Sequence, residues 1–443
     1  MTLLLSPFRS RNFRLLWLAT TVSLLGDGFY YVAVGWQTLA LSNSATALSL
    51  VWLAFTLPHM LTLLLGGVLS DRLSRRQVLI GANLVSGVAL ATIGVLSLAG
   101  TLRIWQLFCL VAVYGAAEAV FGPAFAAIVP ELVDREVLAQ ANSLNQMNRP
   151  IALRLVGPAL GGILVASLGA GAALSLDAGT FAVSALCLSA MRLPAPAAAA
   201  GERGVRGVLG EIAAGFGAVR RVPWLWAGMG AYAVATFVTW GCVQALLPLV
   251  VKNDLGGGAR MLGVVFAAGG VGAVIAAVTI GRRGLTRRPL TWFFWALAGD
   301  VAAVTLFGLA SGPAVAMLAS LLMSGMATVC AVIWQTLIQE RVAGTLLGRV
   351  NSIDWLVSTS LVPIALVVVG PLADLVGAQR VLVVTGVAGA LGTLAFALVP
   401  GVLAAERRAA PHAPAGACPE PYPGSVPAAP STVGEPADAH AGG

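Results

Sequence analysis

Among the ionisable side chains that lie inside long apolar stretches are Asp27 in 14–41, Glu118 in 104–129 and Arg154 in 141–168. Holding an ionised group at bilayer depth costs about 2.5–3.5 kcal/mol, so each of them needs a partner or a task. A carboxyl in such a place can carry a proton or bind a cation, and an arginine can neutralise it or receive an anion. At helical spacing Asp27 shares a face with Tyr30, Tyr31 and Val34, and Glu118 shares one with Tyr114, Phe121 and Phe125. An acid flanked by aromatic rings suits a large, flat or cationic molecule, held by stacking and cation–π contact. Arg154 falls on one face with Pro150, Gly157, Pro158 and Gly161; it pairs with Glu118 or Asp27, or it meets an anionic substrate. Two acids and one base leave an excess negative charge that a proton or a cationic substrate balances.

The elements that must position these groups follow from composition. Of 443 residues 58% are apolar and 10% charged, against roughly 25% charged in an ordinary soluble domain. With a mean hydropathy of +0.90 this is a chain for the lipid bilayer. Apolar stretches of spanning length predict twelve helices, at 14–41, 46–70, 77–99, 104–129, 141–168, 170–191, 222–251, 259–281, 290–311, 313–339, 350–376 and 378–401. The expected fold class is therefore all-α, a polytopic membrane protein. Nucleic acid is excluded as a partner despite the net charge of +8, because the basic residues cluster in short loops between apolar runs.

Those clusters set the expected orientation. Arg9, Arg11 and Arg14, then Arg72, Arg75 and Arg76, Arg135, the run from Arg192 to Arg221, Arg282 to Arg288, Arg341 and Arg349, and Arg407 and Arg408 all fall on one side. The other side holds Arg103, Lys252, Arg260 and Arg380. The asymmetry predicts a multi-pass protein of the cell membrane with both termini in the cytoplasm. The Pro/Ala/Gly-rich and then basic segment 192–221 divides the chain into an N-terminal half, 1–191, and a C-terminal half, 222–403. Residues 404–443, rich in Ala, Pro and Gly, read as a disordered cytoplasmic tail.

An internal repeat supports the division. Glu131, Val133, Leu138, Asn142 and Ser143 recur 209 residues later as Glu340, Val342, Leu347, Asn351 and Ser352. Pro150-Ile151-Ala152-Leu153 recurs 213 residues later as Pro363-Ile364-Ala365-Leu366, and Gly157-Pro158 as Gly370-Pro371. Two six-helix halves on one plan, with a site between them, is an architecture of secondary transporters.

The loop between helices 2 and 3 reads Gly67-Val-Leu-Ser-Asp71-Arg72-Leu-Ser-Arg75-Arg76. It resembles motif A of the major facilitator superfamily, with Ser74 in place of the second glycine. Gly157-Pro158-Ala-Leu-Gly161-Gly162 is similar to motif C of drug/proton antiporters, with Leu153 where that motif often has a glycine. The run from Pro123 to Val133, followed by Ala141-Asn142-Ser143, resembles the branch holding the enterobactin exporter and macrolide efflux proteins. Motif B of helix 4, an arginine four residues before a glycine, is absent: Val111 precedes Gly115.

The resemblance implies the major facilitator fold, two pseudo-symmetric six-helix halves, in a protein that works as a monomer. It implies secondary transport of an amphipathic small molecule, a drug, antibiotic or siderophore, exported in exchange for protons by alternating access. Uptake of a small molecule, or a non-transporting role beside a biosynthetic complex, are the alternatives. Helices 1, 4, 7 and 10 would line the cavity, which makes Asp27 and Glu118 candidates for proton coupling and adds Trp240, Gln244, Trp334 and Gln335 to Tyr30, Tyr31, Tyr114 and Phe121 as wall residues. Asp177 and Asp300 fall on helices peripheral in that fold, with a structural role expected. Asp71 would face the amino end of helix 11 near Asn351, and Arg72, Arg75 and Arg76 would pair with Glu131, Asp134 or Glu340, latching one side shut. Gly157 and Gly161 would meet Gly269, Gly270 and Gly272 of helix 8 across the halves. No nucleophile–base pair, metal cluster or phosphate loop stands in the sequence, so no enzyme, metal or cofactor is expected; the proton gradient would supply the energy.

Overall fold

The computed structural model describes residues 5–70, 74–192, 219–220, 222–284, 288–342, 346–403 and 406. Among these residues twelve helices are long and apolar enough to cross a membrane. They are α1 (Arg11–Leu41), α2 (Ala45–Ser70), α3 (Arg75–Leu98), α4 (Ile104–Leu132), α5 (Gln140–Leu168), α6 (Ala170–Ser189), α7 (Pro223–Asp254), α8 (Ala259–Arg283), α9 (Pro289–Gly308), α10 (Pro313–Arg341), α11 (Val350–Val376) and α12 (Ala378–Ala397). Hydrocarbon offers the backbone no hydrogen-bond partner, so a chain this apolar satisfies its own N–H and C=O groups as helix. Polar residues mark the ends. Ser10 caps α1 by accepting from the Phe13 N–H at 3.3 Å, and Ser74 with Gln77 forms a capping box on α3.

The two halves pack internally, α1 and α3 on α6 and α4 on α2 and α3 in the first, α8 and α9 on α10 and α12 on α9 in the second. Between the halves the main contacts are α2 with α11 and α5 with α8. The repeat is visible in the backbone. α5 widens into a π turn over Pro150–Val156, and α11 breaks at residues 360–361, just before Pro363. A proline has no N–H for the carbonyl one turn back, and both halves release the helix there. The four extra residues of the second half fall between Ser352 and Pro363, a stretch that includes the break at 360–361.

Of the expected central segment, Arg192, Val219 and Arg220 are described and the rest lies outside the described residues. Of the expected tail, Glu406 is described among residues beyond 403, and it is docked. Its carboxylate accepts from the Thr291 N–H at 3.0 Å and the Thr291 hydroxyl at 2.6 Å, on the first turn of α9. An anion at a helix amino end meets unpaired N–H groups, which is why the chain is held at this point.

Candidate functional site

A central cavity of about 1080 Å³ lies between the halves. Its walls come from the stretches of α1, α2, α4, α5, α7 and α11 that run from mid-helix toward the end of the bundle bearing the basic loops. At the opposite end, Val32, Ala33, Val34, Leu246, Leu247, Val250 and Val251 are buried against one another. The cavity is thus open at the basic end and closed at the other.

Asp27 and Glu118 both stand on the wall. The Tyr114 hydroxyl donates to Asp27 Oδ1 at 2.7 Å, one α4 residue anchoring one α1 carboxylate. Aromatic rings form the inner end. Tyr30 lies 4.7 Å from Tyr114, Tyr31 stacks on Trp52 at 5.5 Å, and Trp52 meets Trp240 of the other half edge-on at 6.3 Å. Phe121 and Phe125 stack at 6.0 Å nearer the mouth. Phe55 and His59 of α2 complete this wall, their rings stacked at 5.5 Å, with His59 Nδ1 3.1 Å from the Gly115 carbonyl. A carbonyl only accepts, so Nδ1 carries the proton of that bond. Sequence reasoning missed both residues, which carry no signal in an apolar run beyond their ring character.

The arginines are arranged otherwise than expected. Arg154 forms no ion pair with Glu118 or Asp27. Arg149, which the sequence reading did not single out, stands with Arg154 on the cavity wall that holds both acids. The π turn is the reason. On an ideal α-helix residues five apart point well away from each other, but a turn bonded i to i+5 brings them toward one face. Arg149 and Arg154 therefore both line the cavity, together with Asn142, Asn145, Gln146 and Asn148 at its mouth.

The second half also needs correction. Trp240 lines the cavity, but Gln244, Trp334 and Gln335 do not. Trp334 is 2% exposed, stacked on Phe293 at 4.8 Å, and donates through Nε1 to Asp354 at 3.0 Å; it is core. Gln335 is exposed, on a different face of α10. The wall is made instead by Tyr232, Thr236, Thr239 and Asp300. Asp300 was expected in a structural role on a peripheral helix, yet α9 reaches the cavity at this residue. Asp177, by contrast, is fully buried away from the cavity, beside Gly26, where it accepts from the Thr180 hydroxyl at 3.2 Å.

Of the motif A residues, Asp71 and Arg72 lie outside the described residues, and Gly67 falls in the last turns of α2. Arg75 pairs with Glu131 and donates to the Ala127 carbonyl at 2.7 Å. Among the described residues Arg76 pairs with no carboxylate; it binds the last carbonyls of α6, Leu188 at 2.9 Å and Ser189. Helix carbonyl ends attract cations, and both arginines thereby tie α3 within its own half.

The motif C glycines are split between two neighbours. A Cβ on Gly157 would lie 2.8 Å from the Gly28 Cα, and one on Gly161 would lie 2.7 Å from the Phe29 Cα, so this face packs on α1 and not on α8. Gly162 makes the contact across the halves: its Cβ would stand 2.9 Å from the Gly263 Cα. Gly270 also meets α5, against Leu155 and the Arg154 carbonyl, while Gly269 and Gly272 face α10. Pro158 follows the π turn directly.

The closed end has a polar lock. Asp374, on the last turns of α11, accepts from the Ala45 N–H at 2.8 Å, the Thr46 N–H at 3.1 Å, the Ser44 hydroxyl at 2.8 Å and the Thr46 hydroxyl at 2.6 Å. It caps the amino end of α2 from the opposite half. Lys252 Nζ donates to the Leu39 carbonyl at 3.1 Å, at the carboxyl end of α1.

Comparison with known proteins agrees with this architecture. The profile of a family described as transmembrane secretion effector matches residues 2–419. The multidrug efflux pump Tap of Mycolicibacterium fortuitum is 28% identical over 80% of this chain and 87% of its own. The enterobactin exporter EntS of Shigella boydii is 27% identical over 77% of this chain and 80% of its own. Among solved structures, a bacterial homologue of the lysosomal transporter Spinster, inward-facing and unoccupied, superposes with a TM-score of 0.65 at 15% identity, covering 90% of this chain and 97% of that one. The nucleoside transporter NupG superposes with a TM-score of 0.61 at 12% identity, covering 86% and 99%.

Proposed function

The chain belongs to the transmembrane secretion effector family of the major facilitator superfamily, and from that premise we propose that it exports an amphipathic small molecule in exchange for protons. Tap and EntS, which act on drugs and on a siderophore by their names, support outward transport. The observation that carries the reading is the pair Asp27 and Glu118 on one wall of an aromatic-lined cavity that is open at one end only. A cavity of this volume takes a drug-sized ligand.

We take the basic end, and with it both termini, to face the cytoplasm, which makes this conformation inward-open. Substrate enters from the cytoplasm, stacks on the rings of Tyr30, Tyr31 and Trp240, and displaces a proton from Asp27 or Glu118. The halves then rock about the glycine contact of α5 and α8, and the far end opens. Protons from outside replace the substrate and return the empty carrier. The Tyr114 hydroxyl orients Asp27 throughout, and Arg149 sets the local charge balance. The unit is a monomer, and the proton gradient is its energy source.

The test uses inside-out vesicles with an imposed proton gradient and a pH-sensitive dye, to which cationic drugs, macrolides and siderophores are added in turn. Dye recovery in wild type, lost in Asp27→Asn with normal expression, supports the reading. Full proton-coupled activity in both Asp27→Asn and Glu118→Gln overturns it.

A further inference from the structure

Asp300 is 4% exposed and stands on the cavity wall in the C-terminal half. Its Oδ1 atom is buried with no hydrogen-bond donor in reach among the described residues. A buried carboxylate oxygen without a donor costs several kcal/mol unless a proton or a cation arrives. The other acids in or near the membrane are provided for differently. Asp354 accepts from Trp334 Nε1 and from the Ser358 hydroxyl, Asp374 has four donors, and Asp177 sits away from the cavity. Asp300 combines access to the cavity with an unmet oxygen.

The groups around it come from every packed neighbour. Tyr232 of α7 lines the cavity with it, Cys330 of α10 is buried with its Sγ toward the Phe293 carbonyl of α9, and α12 meets α9 through Gly386 and Gly389, which bring no charge. Two cations line the same cavity, Arg149 and Arg154, both on α5 of the opposite half, and Arg154 is exposed and not paired with Asp300 in this state. Arg154 has a flexible stem and a forked head suited to a carboxylate.

We infer that Asp300 is a second proton-exchanging carboxylate of the cavity, in the half opposite Asp27 and Glu118, and that Arg154 is the cation that takes the proton's place. The inference rests on the antiport reading and deepens it. In the inward-open state Asp300 holds a proton. When the proton leaves to cavity water, the carboxylate pairs with the Arg154 guanidinium across the interface; no other bond forms or breaks. Each half thus contributes a carboxylate, and the charge pair links protonation to the relative position of the halves.

Two readouts test it on the full-length protein. Infrared difference spectra in detergent, taken between acidic and alkaline buffer, report protonated carboxyls without any substrate. Asp300→Asn removes one carboxyl component, Asp300→Glu restores it, and Arg154→Gln, which keeps the carboxyl, changes the pH range over which it vanishes. In proteoliposomes with ethidium as the cationic probe, Asp300→Asn exchanges one proton fewer per ethidium than wild type. Spectra of folded Asp300→Asn identical to wild type overturn the inference, as does an unchanged pH range in Arg154→Gln should Asp300→Asn fail to fold. If Asp27→Asn abolishes proton movement while Asp300→Asn alters neither readout, the inference fails and antiport stands. If wild type moves no protons with any compound while the carboxyl component is lost in Asp300→Asn, antiport fails and the Asp300 site stands.

Discussion

Removing the Asp374 side chain unlocks the closed end of the bundle by an amount that can be worked from its contacts. The carboxylate bridges the halves, and its four donors belong to Ser44, Ala45 and Thr46 at the start of α2. These bonds exist only while that end is shut; once it opens, carboxylate and helix end are both hydrated. An N-cap is typically worth about 1 kcal/mol, and the helix dipole adds about 0.3–1 kcal/mol for an anion in place. The site is exposed, so the larger values for charged hydrogen bonds in dry surroundings are discounted. Asp374→Ala therefore shifts the equilibrium by about 1–2 kcal/mol, or roughly 5- to 30-fold toward opening at that end. Asp374→Asn keeps one acceptor oxygen and lies between Ala and wild type.

The assay is a distance distribution by pulsed electron paramagnetic resonance between spin labels at Thr101 and Ser311. Both are exposed, in the α3–α4 and α9–α10 loops of opposite halves at the closed end, and the five native cysteines are replaced first. The long-distance population grows in the order wild type, Asn, Ala. Unchanged distributions in Asp374→Ala, with the protein intact, refute the lock.

Two further outcomes follow from the packing. Tyr114→Phe deletes the donor to Asp27 and, at about 1.5 kcal/mol for a bond to a charged group, lowers proton-coupled flux about tenfold with normal expression, measured in the same vesicles as Asp27→Asn. Gly162→Ala forces a methyl against the Gly263 backbone, costing about 1–3 kcal/mol, which a thermal unfolding scan reads as a lower Tm; Gly179→Ala, with open space around it, leaves Tm unchanged.

Much of the fold was legible because lipid imposes few solutions: length and apolarity locate the spans, and the repeat divides them. Asp27 and Glu118 were legible for the same reason, since a charge in an apolar run is costly. What the sequence hid was phase. Counting at 3.6 residues per turn aims Arg154 away from Arg149, and only the π turn at Pro150–Val156 brings both to the cavity. Trp334 reads like Trp240 in a sequence, yet Asp354 holds its indole in the core of the second half. The glycines at 157, 161 and 162 look like one surface, but neighbouring helices divide them, α1 taking the first two and α8 the third.

The repeat shows where charge was placed on a common scaffold. At an offset of 213, Gly370 answers to Gly157, and both sit where two helices touch: Gly157 against Gly28, and Gly370 with a Cβ that would lie 2.7 Å from the Thr46 Cα. Gly157 makes its close approach within its own half and Gly370 makes one across the halves, so what the two halves share is the small residue. At the same offset Asp374 stands where the first half has Gly161, and Val367 stands where the first half has Arg154. Neither charge is required by the plan that builds both halves. Asp374 locks one end of the bundle, and Arg154 lines the cavity that Asp300 borders from the other half. A scaffold that tolerates glycine at one position and valine at the other gains no packing from these charges. Their contacts reach across the moving interface, which is where a carrier must sense its own state.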